Sequence, residues 1–205
     1  MGGIAYFLGG RIYDLLDEYF ERTRYSEVRR RMLFNIEGRV LDAGCGTGRN
    51  FSFYSKHNDV LGIDNSISML KIARERAANL KNIEIKYGDI TNLEAADNSF
   101  DSVVATFVLC TMPKNLEKKA LNELIRVAKP GARLYFLEYV YSKDYFRRCF
   151  MRATSCIPKL LYGIRFNSTL PIIKDENRLK IIKNELVHDD VLRLIVAKNV
   201  KGGLI

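Results

Sequence analysis

Three glycines at alternate positions follow a short apolar run that contains an acid. The stretch is VLDAGCGTG, residues 40–48. Its Val and Leu residues are typical of a buried parallel strand, and the glycines let the following backbone turn tightly. With no side chains in the way, a flat or extended ligand could lie directly against this loop. The sequence therefore predicts a ligand-binding loop at the end of this strand.

The loop differs from two known phosphate-binding motifs. In the dinucleotide fingerprint a third glycine comes three residues after the second, but here that position is Arg49. The Gly-Lys-Ser/Thr ending of the phosphate-cradling loop is absent as well. The favoured ligand is one that needs close backbone approach but offers no pyrophosphate. S-adenosylmethionine fits that description.

Two further apolar runs, at 60–63 and 83–88, also end in acids, namely Asp64 and Asp89. In open α/β sheets ligands bind beyond the carboxyl ends of the strands, and an acid about 20 residues past the glycine loop can accept both ribose hydroxyls. Asp64 is placed to do so, and Asp89 could bond an adenine amino group. Alternatively, such residues only cap the next helix, as Ser66 could do. Three acids at successive strand ends favour the binding interpretation.

These features belong to a longer series of motifs. The series is VLDAGCGTGRN (40–50), VLGIDNSISML (60–70), YGDITNL (87–93), NSFDSVVATFVLC (98–110) and ELIRVAKPGARLYFLEY (123–139). Over roughly residues 36–140 the chain resembles the class I S-adenosylmethionine-dependent methyltransferases. The resemblance implies S-adenosyl-L-methionine as the cofactor and methyl transfer as the activity.

The same resemblance implies a set of cofactor-binding residues. They are Asp42, Gly44, Cys45, Gly46, Asn50, Asp64, Asn65, Met69, Asp89, Ile90, Thr106 and Phe107. By position, Asp42, Gly44 and Gly46 would line the methionine end of the cofactor. Asp64 would take the ribose, Asp89 and Ile90 would take the adenine, and the segment from Thr106 would close over the cofactor.

The alternation of strands and helices predicts an α/β fold with a Rossmann-like, seven-stranded, mostly parallel sheet and helices on both faces. We expect strands near 38–43, 59–64, 83–87, 101–107 and 132–138, followed by an antiparallel pair at 181–187 and 192–197. Helices are expected near 48–56, 67–79 and 114–128. An N-terminal helical lid would cover 1–35. The methyltransferase domain would cover 36–200, with a substrate-side helical insertion near 140–178.

Composition limits the class of protein. A chain of 205 residues that is 47% hydrophobic can form one domain with a sizeable core. Its four cysteines form no C-x-x-C pair and it has two histidines, so neither a metal site nor a disulfide framework is predicted. This favours a reduced, cytoplasmic compartment. The apolar start is short and lacks a preceding basic residue, which makes it a poor signal peptide, and no apolar stretch is as long as a membrane span.

Two amphipathic segments, at 8–20 and 146–157, lie outside the core motifs. Between 143 and 165 there are six basic residues and one acid, which is +5 of the chain's net +9. These segments could be helices packed on the sheet with solvated charges. They could instead form an interfacial lid that binds an anionic membrane, peripherally on its inner face. Nucleic-acid contact is disfavoured because the basic segments are rich in Phe, Leu and Ile. The sequence predicts no oligomeric state.

Short outer motifs bear on the methyl acceptor. Ala5-Tyr6 and Ile12-Tyr13-Asp14, before an Arg-bearing helix, resemble bacterial phospholipid N-methyltransferases and the ubiquinone/menaquinone methyltransferase group. NFSFY (50–54) with TFVLCTM (106–112) is similar to membrane-associated thiol methyltransferases. Our first hypothesis is N-methylation of an amine headgroup such as phosphatidylethanolamine at a membrane surface. The alternatives are S-methylation of small thiols, C-methylation of a quinone, RNA methylation, or an inactive cofactor-binding module.

Candidate catalytic residues are aromatic. Methyl transfer from a sulfonium is an in-line displacement in which positioning supplies much of the catalysis, and ring faces attract sulfonium and ammonium groups. Tyr13 and Tyr139 are the candidates, while Glu138 could steer a basic acceptor or cap a strand end. The segment 105–109, ATFVL, is not the Asn/Asp-Pro-Pro-Tyr/Phe motif of adenine and glutamine methyltransferases. DNA-adenine and release-factor methylation are therefore disfavoured.

Overall fold

The computed structural model describes residues 11, 14, 15, 18, 19, 21–166, 169–187 and 190–202, without the side chains of residues 169 and 170. Tyr13 and Tyr6 lie outside the described residues. Within these ranges, no helix combines the length and the apolar character that are needed to cross a bilayer.

Seven strands form one sheet in the order β3-β2-β1-β4-β5-β7-β6. They are β1 (Arg39–Ala43), β2 (Asp59–Asp64), β3 (Ile83–Tyr87), β4 (Phe100–Thr106), β5 (Ala128–Tyr139), β6 (Leu179–Val187) and β7 (Leu192–Asn199). The first five strands pair in parallel, and β7 runs antiparallel to both β5 and β6. The predicted seven-stranded, mostly parallel α/β sheet is confirmed.

Helices connect the strands and cover both faces of the sheet. They are α1 (Ser26–Leu33), α2 (Ile67–Ala77), α3 (Lys114–Val127), α4 (Tyr145–Thr154), α5 (Cys156–Tyr162) and α6 (Thr169–Lys174). A π-helical turn, Glu21–Tyr25, precedes α1, and short 3₁₀ turns occur at Phe51–Phe53 and Leu109–Thr111. Residues 11, 14, 15, 18 and 19 are helical. Ser66 caps α2, because its side chain accepts from the Met69 N–H.

The core lies on both faces of the central strands, as continuous apolar runs require in a parallel sheet. Neighbouring residues alternate between faces: Leu41 packs toward α3 and Val40 toward α1 and α2. The first face also holds Leu61, Val103 and Leu134, and the second holds Val60, Val104 and Tyr135. The sheet is thus rigidly backed on both sides, which fixes the loops at its carboxyl edge.

Two predicted elements need correction. The helix predicted over 48–56 is wrong, because the only helical turn there is Phe51–Phe53. Gly48 has φ +80°, and a Cβ on it would lie 2.6 Å from the Phe51 ring, so the loop folds tightly over that buried ring. The strand predicted from 132 begins at Ala128, directly after the helix that ends at Val127, and it bulges where Gly131 has φ +84°.

Candidate functional site

Asp64, the last residue of β2, joins the glycine loop to the next helix. Its Oδ2 accepts from the Gly46 N–H at 3.0 Å and its Oδ1 from the Ser66 N–H at 2.9 Å. A carboxylate offers about four acceptor positions, so an ionised Asp64 can hold the loop and also receive a ligand hydroxyl. The structure therefore places this carboxylate beside the glycine loop, where the sequence spacing predicts it.

The glycine loop is closed at one end and open at the other. Gly44 has φ +67°, and a Cβ there would lie 2.6 Å from Cγ2 of Val108. Gly46 has φ +55°, and a Cβ there would meet no atom within 4 Å. Cys45 is buried with its thiol toward Gly62, so its backbone alone can face a ligand. Open space above Gly46 next to a strand-end carboxylate fits the close backbone approach expected of the cofactor.

The predicted adenine-side residues differ in exposure. Asp89 is exposed and Ile90 is buried, and Oδ1 of Asp89 accepts from the Thr91 N–H at 2.8 Å. Asn65 is also exposed. Met69, by contrast, is 1% exposed, so its side chain is packed inside the protein and offers no surface to a ligand. The structure thus leaves Asp89 and Asn65 accessible at this edge and does not bring the Met69 side chain there.

Asp42 lies beneath the glycine loop. It is fully buried, and both of its carboxylate oxygens accept from Nδ2 of Asn50, at 3.0 and 3.1 Å. The same nitrogen lies 3.1 Å from Oγ1 of Thr106, at the end of β4. Burial raises the pKa of Asp42 to about 6, and the Asn50 bond opposes that rise. Asp42 therefore orients Asn50, which is 2% exposed, and its place at the methionine end of the cofactor stays a prediction.

Arg29 of α1 completes this buried network. Its Nη1 donates to Oδ1 of Asn50 at 2.5 Å and to Oγ1 of Thr106 at 3.1 Å. Its Nε donates to the Glu21 carboxylate at 3.1 Å, and its guanidinium lies 5.4 Å from the Phe107 ring centroid. Arg29 and Glu21 are 4% and 6% exposed. The N-terminal segment is thus tied to the strand ends by a buried ion pair.

The sequence interpretation missed Arg29, because it considered the N-terminal arginines only together, as those of an Arg-bearing helix. The signal that could have separated Arg29 is its spacing. Tyr25, Arg29, Met32 and Leu33 are all buried and recur at helical intervals, so they share one face of the helix. An arginine on an apolar helix face predicts a buried partner.

A second polar network ties the N-terminal helical residues to the glycine loop. Asp14 accepts from Oγ1 of Thr47 at 2.7 Å and from Nη2 of Arg76 at 2.5 Å. Arg49 donates to Glu18 at 2.7 Å and to the backbone oxygen of Asp14 at 3.1 Å. Arg49, which breaks the dinucleotide fingerprint, therefore holds the N-terminal segment over the loop.

Aromatic rings gather beside the end of β4. Phe107 has φ +59°, a strained conformation for a residue with a side chain, and its ring stacks on Tyr139 at 4.7 Å. Tyr25 lies 5.1 Å from Phe107, and its hydroxyl is 2.9 Å from that of Tyr139. Phe166 contacts both Tyr139 (6.2 Å) and Tyr141 (4.7 Å). The structure brings the predicted Tyr139 and Phe107 together and adds Tyr25 and Phe166, which were not predicted.

Glu138 is buried and caps a turn. It is 2% exposed, and its two oxygens accept from the backbone N–H groups of Leu109 (3.2 Å) and Cys110 (3.1 Å). Burial raises the pKa of Glu138 to about 7. Of the two roles considered from the sequence, the capping role is the one that this geometry supports.

We expect Glu138 to make stability fall with rising pH. The pKa of Glu138 is about 7 in the folded protein and near 4.5 in the unfolded chain. Between pH 4.5 and pH 7 the folded state therefore holds a proton that the unfolded state has released. The free energy of unfolding should therefore decrease from pH 4.5 to 7, by up to about 3 kcal/mol from this group. Urea unfolding across this range measures the slope.

The comparison for this measurement is Glu138→Gln, which cannot titrate and should show a shallower slope. Asp42, with its pKa raised to about 6, contributes in the same direction and remains in the variant. Equal slopes in parent and variant would contradict the assignment.

A groove of about 1130 Å³ lies elsewhere, between α1 and strands β5, β6 and β7. Its walls include Met32, Tyr135, Leu194 and Val196, with charged residues of both signs around them. None of the glycine-loop residues or strand-end acids lines it. It is therefore separate from the candidate site.

Comparison with known sequences identifies relatives. Residues 40–131 match the model of a methyltransferase domain. A demethylmenaquinone methyltransferase of Staphylococcus aureus is 32% identical over 168 residues, which cover 78% of this chain and 64% of that protein. The chain thus spans just under two thirds of the length of this relative.

Solved structures share the fold. An S-adenosylmethionine-dependent methyltransferase from Aquifex aeolicus superposes with a TM-score of 0.68 at 21% identity, over 93% of this chain and 98% of that one. The N-methyltransferase NodS from Bradyrhizobium japonicum, in complex with S-adenosyl-L-homocysteine, gives a TM-score of 0.68 at 19% identity. That match covers 88% of this chain and 87% of NodS.

Proposed function

Because the chain belongs to the class I S-adenosylmethionine-dependent methyltransferases, we propose that it methylates a ring carbon of a lipophilic quinol. The observation that carries the proposal is the cluster of aromatic rings at the end of β4, the neighbour of the strand that leads into the glycine loop. Planar rings are matched by stacked aromatic side chains. The Staphylococcus aureus relative, named for a demethylmenaquinone substrate, supports the same acceptor class.

The residues at the strand ends fit the cofactor. Asp64 would bind the ribose hydroxyls, and Asp89 would accept from the adenine amino group. The Gly44–Gly46 backbone would lie against the methionine end, with Asn50, Arg29 and Asp42 supporting it from beneath. When bound, S-adenosylmethionine supplies an activated methyl group on a sulfonium.

The chain's own contribution to the reaction is positioning. Phe107 and Tyr139 would hold the acceptor ring in line with the sulfonium, so that an effectively intramolecular geometry replaces a chance encounter. The ring carbon gains the methyl carbon as the sulfur–carbon bond breaks, and the ring proton is released to solvent. Glu138 fixes the Leu109–Thr111 turn, which follows Phe107 and keeps its ring in place.

N-methylation of an amine headgroup, such as that of phosphatidylethanolamine, is the second candidate. The same rings favour it, since the faces of Phe107, Tyr139 and Tyr141 could attract an ammonium that carries methyl groups. The two candidates share a lipophilic acceptor and differ in the atom that is methylated. We place the protein at the cytoplasmic side of a membrane in either case.

Tritiated S-adenosylmethionine tests the acceptor. The protein is incubated in parallel with a demethylated quinol, phosphatidylethanolamine, a panel of thiols and an RNA pool, and label is counted after extraction. We expect label in the quinol fraction. Label in phosphatidylethanolamine alone would support the second candidate, and label in thiols or RNA alone would reject both.

Two Tyr139 variants distinguish the effect of its ring, which stacks on Phe107, from that of its hydroxyl, which bonds the Tyr25 hydroxyl. Tyr139→Leu removes the ring and should lower kcat/KM for the acceptor by about tenfold, whereas Tyr139→Phe keeps the stack on Phe107 and should stay close to the parent. Affinity for S-adenosylmethionine should be unchanged in both. Equal losses in the two variants would show that the ring does not position the acceptor.

A further inference from the structure

The helices α4 and α5 carry an uncovered apolar ridge, which we define as Phe146, Phe150, Ile157 and Leu160. These side chains are 81%, 68%, 54% and 61% exposed, and neither helix contains a buried residue. Phe146 and Phe150 are four residues apart, so they share one face of α4. Apolar side chains that stand together in water indicate an interaction surface.

Basic side chains lie on the other faces of these helices, since Arg148 is two residues from both Phe146 and Phe150. Lys143, Arg148, Arg152 and Lys159 form no ion pair within the described part of the chain. Arg147 pairs with Asp190 at 3.2 Å, and Arg165 bonds Glu117 away from this surface. The +5 expected for 143–165 therefore overstates the surface charge, because Arg165 is engaged inside the protein.

We propose that α4 and α5 form a docking surface for an anionic lipid membrane. The ridge would enter the boundary between headgroups and acyl chains, and the lysines and arginines of the polar faces would reach the lipid phosphates around it. A membrane would thus contact both the apolar ridge and the basic side chains. An RNA partner would satisfy the charges but leave the exposed Phe146 and Phe150 in water.

Helix α4 lies next to the aromatic cluster of the candidate site. Arg152 lies 5.6 Å from the Tyr141 ring, Tyr141 contacts Phe166 at 4.7 Å, and Phe166 contacts Tyr139. A membrane bound by α4 would therefore lie near the aromatic cluster, where a lipophilic acceptor could pass from the membrane to the site. This last step rests on the proposed function, whereas membrane binding itself does not.

Vesicle flotation tests the docking surface without any methyl transfer. The full chain, with S-adenosylmethionine present, is mixed with vesicles of phosphatidylcholine alone or with added phosphatidylglycerol. We expect binding to the anionic vesicles. Arg148→Gln/Arg152→Gln/Lys159→Gln should weaken it about 100-fold, at about fivefold for each charge removed. Phe146→Ser/Phe150→Ser should weaken it about tenfold or more.

Matched controls change other surfaces. Lys114→Gln/Lys118→Gln/Lys119→Gln removes the same charge from the exposed side of α3, and Phe34→Ser removes a phenylalanine that is 79% exposed. Both controls should bind like the parent. Calorimetric affinity for S-adenosylmethionine, unchanged in every variant, shows that the fold is intact.

Several results would overturn the proposal. The first is failure of the parent to bind anionic vesicles at low salt. The second is equal weakening of vesicle binding by the α3 control. The third is an unchanged affinity of the Phe146/Phe150 variant for anionic vesicles. RNA binding that depends on the arginines but not on the phenylalanines, without vesicle binding, would assign the surface to nucleic acid. Vesicle binding with no quinol methylation would keep the docking surface and reject the proposed acceptor.

Discussion

Replacing Arg29 with methionine is expected to lower the free energy of unfolding by about 3–5 kcal/mol, because it leaves a buried charge without its partner. The Arg29 and Glu21 side chains are 5% and 8% exposed, so water cannot replace the lost bond. Asn50 also loses the donor to its Oδ1. The variant should therefore bind S-adenosylmethionine more weakly as well, since Asn50 lies beneath the glycine loop.

Urea unfolding and calorimetry measure the two effects. Arg31→Met is the matched control, because Arg31 is on the same helix but pairs with Glu27 at the surface, where its side chain is 78% exposed. Such a pair contributes about 0–1 kcal/mol. Glu21→Gln combined with Arg29→Met removes the stranded carboxylate and should recover part of the stability. Equal losses for Arg29→Met and Arg31→Met would contradict the buried network.

Replacing Asp64 with alanine is expected to weaken S-adenosylmethionine binding about 10- to 150-fold, which corresponds to about 1.5–3 kcal/mol for a hydrogen bond to a charged group. The ribose hydroxyls lose their charged acceptor. The Gly46 N–H loses its partner too, so the loop against which the cofactor lies is no longer held.

Calorimetry on the folded variant measures this loss. Asp59→Ala is the control, since Asp59 begins the same strand at the opposite edge and its side chain is 72% exposed. That variant should bind as the parent does. Unchanged affinity in Asp64→Ala would reject the ribose role, and tight NAD binding by the parent would reject the cofactor itself.

The sheet could be predicted because its signals are local. The strands predicted at 59–64, an apolar run that ends in Asp64, and at 83–87 are both observed with their predicted bounds. The position of Asp64 beside the glycine loop follows from the same pattern, because the carboxyl ends of parallel strands meet at one edge.

What could not be predicted depends on contacts between distant residues. Arg29 and Arg165 look like surface charges until Glu21, Asn50 and Glu117 are brought to them. The segment 48–56 was expected to be a helix, yet the Phe51 ring packs against Gly48 and only one helical turn forms, at Phe51–Phe53. Tertiary packing decides the conformation at such positions, and a short stretch of sequence does not show which distant residues will pack there.

The distances along the chain between these partners have a consequence for synthesis. Arg29 is separated from Thr106 by 77 positions along the sequence, and Tyr25 from Tyr139 by 114 positions. Contacts of such long sequence separation form late, since a large loop must be closed before any of them contributes. The segment with Tyr25 and Arg29 therefore leaves the ribosome well before the residues that fix it in place. The growing chain can therefore start its sheet well before it can hold a cofactor.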